Sequence, residues 1–338
     1  MSFPLILAKV VSRTLGVAVV ARASRYRSWP SDAALIDEPL ALAEARTSGL
    51  RRIYANGHRD AWDGPAVFRE AVARHGGIQL DPEKRAALVH PLTMLMWGEL
   101  GAWIVSADLA ERLEDPDARL AASSQVFDEA RHFYVLRDYV ALLHVPVPQL
   151  DPYFRIALRR LLCARSLELK LFAMQILAEG AAQAIFRFLA DARIEPVLSE
   201  ILPYIERDEA RHVGLGILHL PERLSRLGPR QCRRLANKVG AIGDLFIANQ
   251  LRYLPHYRAL GLEPRDLIRR GDKMIHALSQ KLGTVPGTDV PYFRSDDPST
   301  PEYEENLDRL FPPAGAEASS AARTLQWVID FGAATLPS

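Results

Sequence analysis

Two stretches, FDEARH at residues 127–132 and RDEARH at residues 207–212, carry the same five-residue string. Each contains Glu-x-x-His: Glu129 with His132, and Glu209 with His212. On a helix this spacing puts the carboxylate and the imidazole on one face, about one turn apart. A single such pair is common on a solvated helix face, but a repeated DEARH is not explained by surface charge. Working upstream, Glu99 in WGELGAW precedes Glu129 by the same interval that separates Glu179, in LAEGAA, from Glu209. Three ligand-type positions therefore recur with a constant offset of 80: 99 and 179, 129 and 209, 132 and 212.

Helix rise turns that spacing into geometry. The Glu114-Asp115-Pro116 break falls close to midway between Glu99 and Glu129. At 1.5 Å per residue the legs to and from it are about 24 and 21 Å, so the two carboxylates return to one level. The second hairpin turns near Arg193, again close to midway between its glutamates, and closes at the same height. Stacked, the hairpins bring four Glu and two His to one point. The flanking residues are apolar: Met94, Leu95, Met96, Trp97, Trp103, Phe133, Phe172, Met174, Ile176 and Phe186. Four uncompensated carboxylates there would cost more than a fold tolerates. Two divalent cations neutralise them, and mixed carboxylate and imidazole donors suit Fe or Mn better than a thiolate-preferring metal.

The doubled Asp and Arg extend the pattern. We expect a crossed arrangement, in which Asp128 accepts from the non-ligating N–H of His212 and Asp208 from that of His132. Arg131 and Arg211 then hold the aspartates, or else pair on the surface. Gln183, one turn after Glu179, is a candidate catalytic residue facing the oxygen-binding side, or a plain core amide. Glu168 reads as a salt-bridge partner, with a channel or proton-carrying role as the other reading. A substrate pocket is expected beside Trp103, Phe133, Phe172 and Phe186.

The whole chain of 338 residues is 49% apolar and 25% charged, with a formal net charge of +1. That is a globular composition, and with no basic run it argues against a nucleic-acid partner. Cys163 and Cys232 share no ligand spacing and read as reduced thiols of a cytoplasmic protein. Residues 3–21 are apolar but interrupted by Lys9 and Arg13, too short a run to span a bilayer. They read as a helix packed on its own bundle, or as an amphipathic helix resting on a membrane or a partner.

No phosphate loop or alternating strand block occurs, and the fold class is all-α: a four-helix antiparallel bundle with additional flanking helices. The core helices are expected over 92–113, 116–144, 154–190 and 196–220, with a kink or restart at Pro203. Further helices follow at 229–256 and 264–282, then an extended arm with a short helix near 319–332. The chain accordingly divides into an N-terminal helical segment (1–87), the bundle core (88–225), additional helices (226–283) and a C-terminal arm (284–338).

One Glu followed at a fixed interval by Glu-x-x-His, with both repeated, resembles the ferritin-like di-iron carboxylate superfamily, over roughly residues 88–225. The DEARH strings are similar to those of bacterial multicomponent monooxygenase hydroxylases. Arylamine N-oxygenases and the radical-generating subunit of class I ribonucleotide reductase are similar in outline. The resemblance implies Glu99, Glu129 and His132 on one metal and Glu179, Glu209 and His212 on the other, with Glu129 and Glu209 bridging. It implies a cofactor of two Fe ions, with Mn or mixed Mn/Fe as variants. The implied activity is that of a di-iron oxygenase or oxidase activating O2 to oxidise a small, largely apolar organic substrate, by hydroxylation or N-oxygenation. The alternative is a non-oxygenase protein handling iron or peroxide. An electron-donor protein or other reductant is the implied partner, and a homodimer is compatible with it. Gln183 stands where the family commonly has threonine, and Leu136 where the reductase subunit has its radical tyrosine. Tyr134 should point away from the metals, which leaves Tyr139 as the nearest phenol on the ligand face.

Overall fold

The computed structural model describes residues 48–285, 291–292, 295–313 and 316–336. The expectation for residues 3–21 lies outside them. Among the described residues there are eleven helices and no strand beyond one isolated bridge between Thr284 and Pro291. In chain order they are α1 Gly49–Arg59, α2 Gly64–His75, α3 Pro82–Arg112, α4 Pro116–Leu142, α5 Pro152–Leu162 and α6 Leu167–Ala192. There follow α7 Pro196–Ser225, α8 Pro229–Ala259, α9 Pro264–Leu282, α10 Pro301–Leu310 and α11 Ser320–Thr335.

Five of these helices open on an acidic residue followed by proline, and in four the acidic side chain caps the helix. Asp81, Asp115, Asp151 and Glu195 each accept a hydrogen bond from a first-turn backbone N–H. The proline then occupies the first helical position, where no N–H is needed. α7 runs through Pro203 without the expected restart. Ile201, Leu202 and Ile205 around it are fully buried, and their packing carries the helix past the lost backbone bond.

Helices α3, α4, α6 and α7 form the bundle, and its interior is divided in two. One apolar cluster holds Leu88 and Leu92 of α3, Leu136 of α4, Phe186 of α6 and Ile201 of α7. The other holds Val105 and Leu109 of α3, Ala118 and Ala122 of α4, Phe172 of α6 and Leu220 of α7. On every core helix the ligand-type residues lie between the two clusters. The order in which each helix meets them gives its direction: α3 and α7 run one way, α4 and α6 the other.

Parallel α4 and α6 require a crossover, and α5 supplies it. Phe154 of α5 packs in the first cluster, while Ala157 and Leu161 pack in the second. The expected single helix over 154–190 is therefore two antiparallel helices. The chain reverses at residues 163–166, where Ser166 caps α6 by accepting from the Leu169 amide at 3.1 Å. Arg112, at the end of α3, donates to the Arg165 carbonyl and ties the reversal to the bundle end. A reversal this short with no Pro or Gly (Cys-Ala-Arg-Ser) leaves little trace in a periodicity pattern.

α6 also departs from α-helical geometry. Residues Leu171–Ala178 form a π-helical stretch that ends at Glu179. Against it, Gly216 of α7 sits so close that an added Cβ would lie 2.6 Å from the Gln175 Cβ and 2.8 Å from the Ile176 Cδ1. Among the described residues, the two helices with enough length and apolarity to cross a membrane are α3 and α6. Both are largely buried in the bundle and carry Glu99 and Glu179, as core helices do.

Gly216→Ala should lower stability by about 1–3 kcal/mol, because overpacking against the π stretch exceeds the gain in helix propensity. Gly240→Ala in α8, where a Cβ meets nothing within 4 Å, should raise it by about 0.5–1 kcal/mol. Thermal melts of the two variants side by side would check the opposite signs.

Candidate metal centre

All six ligand-type residues meet in the bundle interior. Glu99 comes from α3, Glu129 and His132 from α4, Glu179 from α6, and Glu209 and His212 from α7. Each is buried. Ligand atoms of Glu99, Glu129, His132 and Glu209 lie within 4.8 Å of one another, as do those of Glu129, Glu179, Glu209 and His212. Glu129 and Glu209 belong to both sets, which puts them where bridging residues stand.

The histidines are oriented. His132 turns Nδ1 to Glu209 Oε1 at 3.1 Å and Glu99 Oε2 at 3.2 Å. His212 turns Nδ1 to Glu209 Oε2 at 2.9 Å and Glu129 Oε1 at 3.0 Å. Their other nitrogens face the aspartates in the crossed sense: His132 Nε2 lies 3.2 Å from Asp208 Oδ2, and His212 Nε2 lies 3.3 Å from Asp128 Oδ2. Arg131 donates to both Asp128 and Asp208, and Arg211 does the same from the other side. The network fixes ring orientation and tautomer from behind, leaving Nδ1 as the free donor.

This donor set fits two metal ions. Neighbouring ligand atoms around an ion with bonds of about 2.1 Å stand about 3 Å apart, the separation observed here. Glu129 Oε2 and Glu209 Oε1 are buried without a well-aligned hydrogen bond, although His132 Nδ1 lies 3.1 Å from Glu209 Oε1. Such under-paired anionic oxygens in an apolar interior call for a cation.

The protonation pattern carries the same strain. Burial, then the neighbouring charges of Glu209 and Glu129, push Glu99 well above the usual carboxylate range. Burial followed by the charges of Glu129 and Glu209 does likewise to Glu179. For His132 burial works downward, but hydrogen bonds to Asp208, Glu129, Glu209 and Glu99 hold it well above the ordinary imidazole value. His212 is raised in the same way against burial, chiefly by the charges of Glu129 and Glu209. Against their own burial, Glu129 and Glu209 are held low by interactions that include the imidazoles. Hydrogen bonds to the imidazoles likewise hold Asp128 and Asp208 low against burial.

Three polar residues at the site went unrecognised in the sequence. Gln125 donates from Nε2 to Glu129 Oε1 at 2.9 Å and to Glu179 Oε1 at 2.8 Å. Gln175, fully buried in the π stretch, donates to Gln125 Oε1 at 2.9 Å. Trp62 donates to Asp208 Oδ2 at 2.7 Å, with the Arg131 guanidinium over its ring. Gln125 lies one turn before Glu129, a usable signal, but neither glutamine has a counterpart at the repeat offset, so the repeat hides both. Trp62 lies outside the repeat altogether.

Gln183 is half-buried, hydrogen-bonds to none of the six and does not line the cavity described next. Glu168 pairs with Arg223 at 2.6 Å, the salt-bridge reading. Tyr134 is 43% exposed and Leu136 is fully buried. The Tyr139 hydroxyl donates to Glu195 Oε2 at 2.8 Å, away from the six ligands.

A cavity of about 660 Å3, counting its open mouth, abuts the centre on the side of Glu99 and Glu179. Its apolar wall includes Met94, Leu95, Ala102, Phe154, Leu158, Ala182, Ile185 and Phe246, with Gln250 as the only other polar residue. None of Trp103, Phe133, Phe172 and Phe186, where the pocket was expected, lines it. The crossover helix α5 and helix α8 close this side instead, and neither contact is visible before the reversal at residues 163–166 is known.

Purified protein should hold about two Fe or Mn ions per chain, and Glu129→Ala or Glu209→Ala should remove most of both. Elemental analysis would check this; a content of one ion, indifferent to either change, would contradict a two-metal site. Metal-free protein should become more stable as pH falls from neutral towards about 5. Glu99, Glu179, His132 and His212 all bind protons more readily folded than unfolded, so their contribution grows on acidification. Below about pH 4 the unfolded chain protonates carboxylates that the fold keeps ionised at Asp128, Asp208, Glu129 and Glu209, and stability is lost again. Melting temperatures of chelator-treated protein across this range would check the sign, and Glu99→Gln with Glu179→Gln should flatten the rise.

Compared with known proteins, the chain matches no family model and no curated protein. Among solved structures it resembles R2-like ligand-binding oxidases. A single-site variant with an aerobically reconstituted Mn/Fe cofactor aligns at TM-score 0.56 and 16% identity, over 71% of this chain and 95% of that one. The oxidase with aerobically reconstituted metal cofactor after photoconversion aligns at TM-score 0.52 and 18% identity, with the same coverage. Another variant, with an Fe/Fe cofactor, aligns at TM-score 0.51 and 20% identity, again over 71% and 95%. The chain thus has the ferritin-like fold of the R2-like oxidases, and its six clustered ligand-type residues fit a two-metal carboxylate centre.

Proposed function

We propose that this chain is an O2-dependent oxidoreductase with two Fe ions or a mixed Mn/Fe pair, acting on a small, largely apolar organic molecule. The observation that carries this reading is the cavity, whose apolar wall ends on Glu99 and Glu179, the ligands of opposite metal positions. Its form, a mostly apolar concavity with a few polar groups, is that of a small-molecule site. Redox-active ions held there supply the capacity to bind and reduce O2.

The chain's own residues do the rest. The apolar wall binds the substrate and keeps water from the centre. Gln250 offers a polar contact for orienting it, since its own amide is held by the Tyr257 hydroxyl, which donates to Oε1 at 3.0 Å. The histidines and the Asp–Arg network lie behind the ligands and leave the cavity side open. Hydroxylation or N-oxygenation consumes O2, two electrons and two protons and releases water. An external electron donor, protein or small reductant, is therefore part of the proposal, as is a reducing cytoplasmic setting in keeping with the free thiols Cys163 and Cys232. A protein that only handles iron or peroxide has no use for an apolar pocket beside Glu99 and Glu179.

Filling the cavity tests the proposal. Ala182→Phe should retain two metals per chain yet lose at least tenfold in oxygenation of apolar substrates. Incorporation of 18O2 into organic product, followed by mass spectrometry with a chemical reductant, is the measurement. Undiminished oxidation of Fe(II) in the variant, with no organic product from either protein, would favour iron handling instead.

A further inference from the structure

The bundle end that carries the α3–α4 turn holds a second cluster of ligand-type side chains, separate from the six at the centre. Asp115, the residue that caps α4, meets His219 and Glu222 near the end of α7. One ligand atom of each lies within 4.8 Å of the others. His219 and Glu222 are three residues apart, so they share a face of α7.

The imidazole is the anomaly. His219 is only 4% exposed, and neither of its ring nitrogens has a hydrogen-bond partner. A neutral imidazole carries one donor and one acceptor, and buried polar atoms are almost always paired. Burial lowers its pKa first of all; Asp115 and Glu222 act upward, Arg223 and Arg226 downward. The neutral ring that results is the form that binds a metal.

Each carboxylate has an oxygen to offer. Asp115 uses Oδ1 to accept the Asp117 and Ala118 amides at 2.8 and 3.2 Å, leaving Oδ2. Glu222 uses Oε1 to accept from Arg226 at 2.6 Å, leaving Oε2. The bordering cations are committed: Arg223 to Glu168 at 2.6 Å and Arg226 to Glu222. Two anionic oxygens and one neutral nitrogen suit a divalent first-row transition ion better than Mg2+, which favours oxygen and water ligands.

We propose that Asp115, His219 and Glu222 form a mononuclear site for a divalent transition ion of the Zn, Fe or Mn class. His219 lies seven residues past His212, two turns and about 10 Å further along the same face of α7. The ion is therefore distinct from the pair at the centre and links the α3–α4 turn to the C-terminal end of α7. Glu222 is exposed, so water completes the coordination and the ion enters directly from solvent.

The test uses the full chain with its iron centre loaded, dialysed against micromolar Zn2+ or Mg2+, with total metal per chain read by mass spectrometry. Wild type should hold one more ion in Zn2+ than Glu222→Gln or His219→Gln, and should gain none in Mg2+. Glu222→Gln alters an exposed side chain, so it decides the matter even if His219→Gln fails to fold. Equal total metal in wild type and Glu222→Gln would overturn the proposal. Equal uptake of Mg2+ and Zn2+ would overturn the assignment to a transition ion.

Discussion

Four glutamates at one level of a bundle interior repel one another, and two apolar half-cores press on them from either side. This electrostatic conflict is the constraint around which the rest of the bundle is arranged. The imidazoles relieve part of it, yet Glu129 Oε2 and Glu209 Oε1 still lack a well-aligned hydrogen bond. Without metal, protons on Glu99, Glu179 and the two imidazoles balance the charge; two dications would do so with all four carboxylates ionised. The fold tolerates the conflict because Leu, Ile and Phe packing above and below holds the four helices in register whether or not the charges are satisfied.

Behind the ligands, two aspartates and two arginines form a closed ring of ion pairs that binds α4 to α7. Its two-fold pattern follows from the repeated DEARH. Each string contributes a glutamate and a histidine to the buried cluster, an aspartate for the opposite histidine and an arginine for both aspartates. A single substitution in one string thus disturbs both metal positions. Gln125 and Gln175 break the symmetry by joining Glu129 to Glu179 on one side only, and the π-helical stretch that buries Gln175 lies directly before Glu179. π-helical insertions recur at functional sites because they redirect a side chain without ending the helix.

The cavity depends on the crossover. Since α4 and α6 run parallel, α5 must travel the length of the bundle between them, and with α8 it walls the space beside Glu99 and Glu179. The opposite side of the centre is filled by the Asp–Arg ring and Trp62. The open, apolar face of the centre is therefore set by chain topology rather than by the six clustered Glu and His residues.

By itself the sequence determined the all-α class, the convergence of four Glu and two His from the core helices, and the crossed aspartate pairing. These rest on local periodicity and on a constant repeat offset, and helix rise converts both into three dimensions without knowledge of packing. Only the tertiary structure decided the rest. The reversal at residues 163–166 has no Pro or Gly to announce it, so α5 was indistinguishable from α6. The cavity wall, the glutamine relay and the Trp62 contact join residues from elements far apart in the chain, which no local period encodes. Pro203 failed as a helix breaker because buried neighbours outweighed one missing backbone bond. Periodicity reports which face of a helix is apolar; only packing determines which neighbour that face meets.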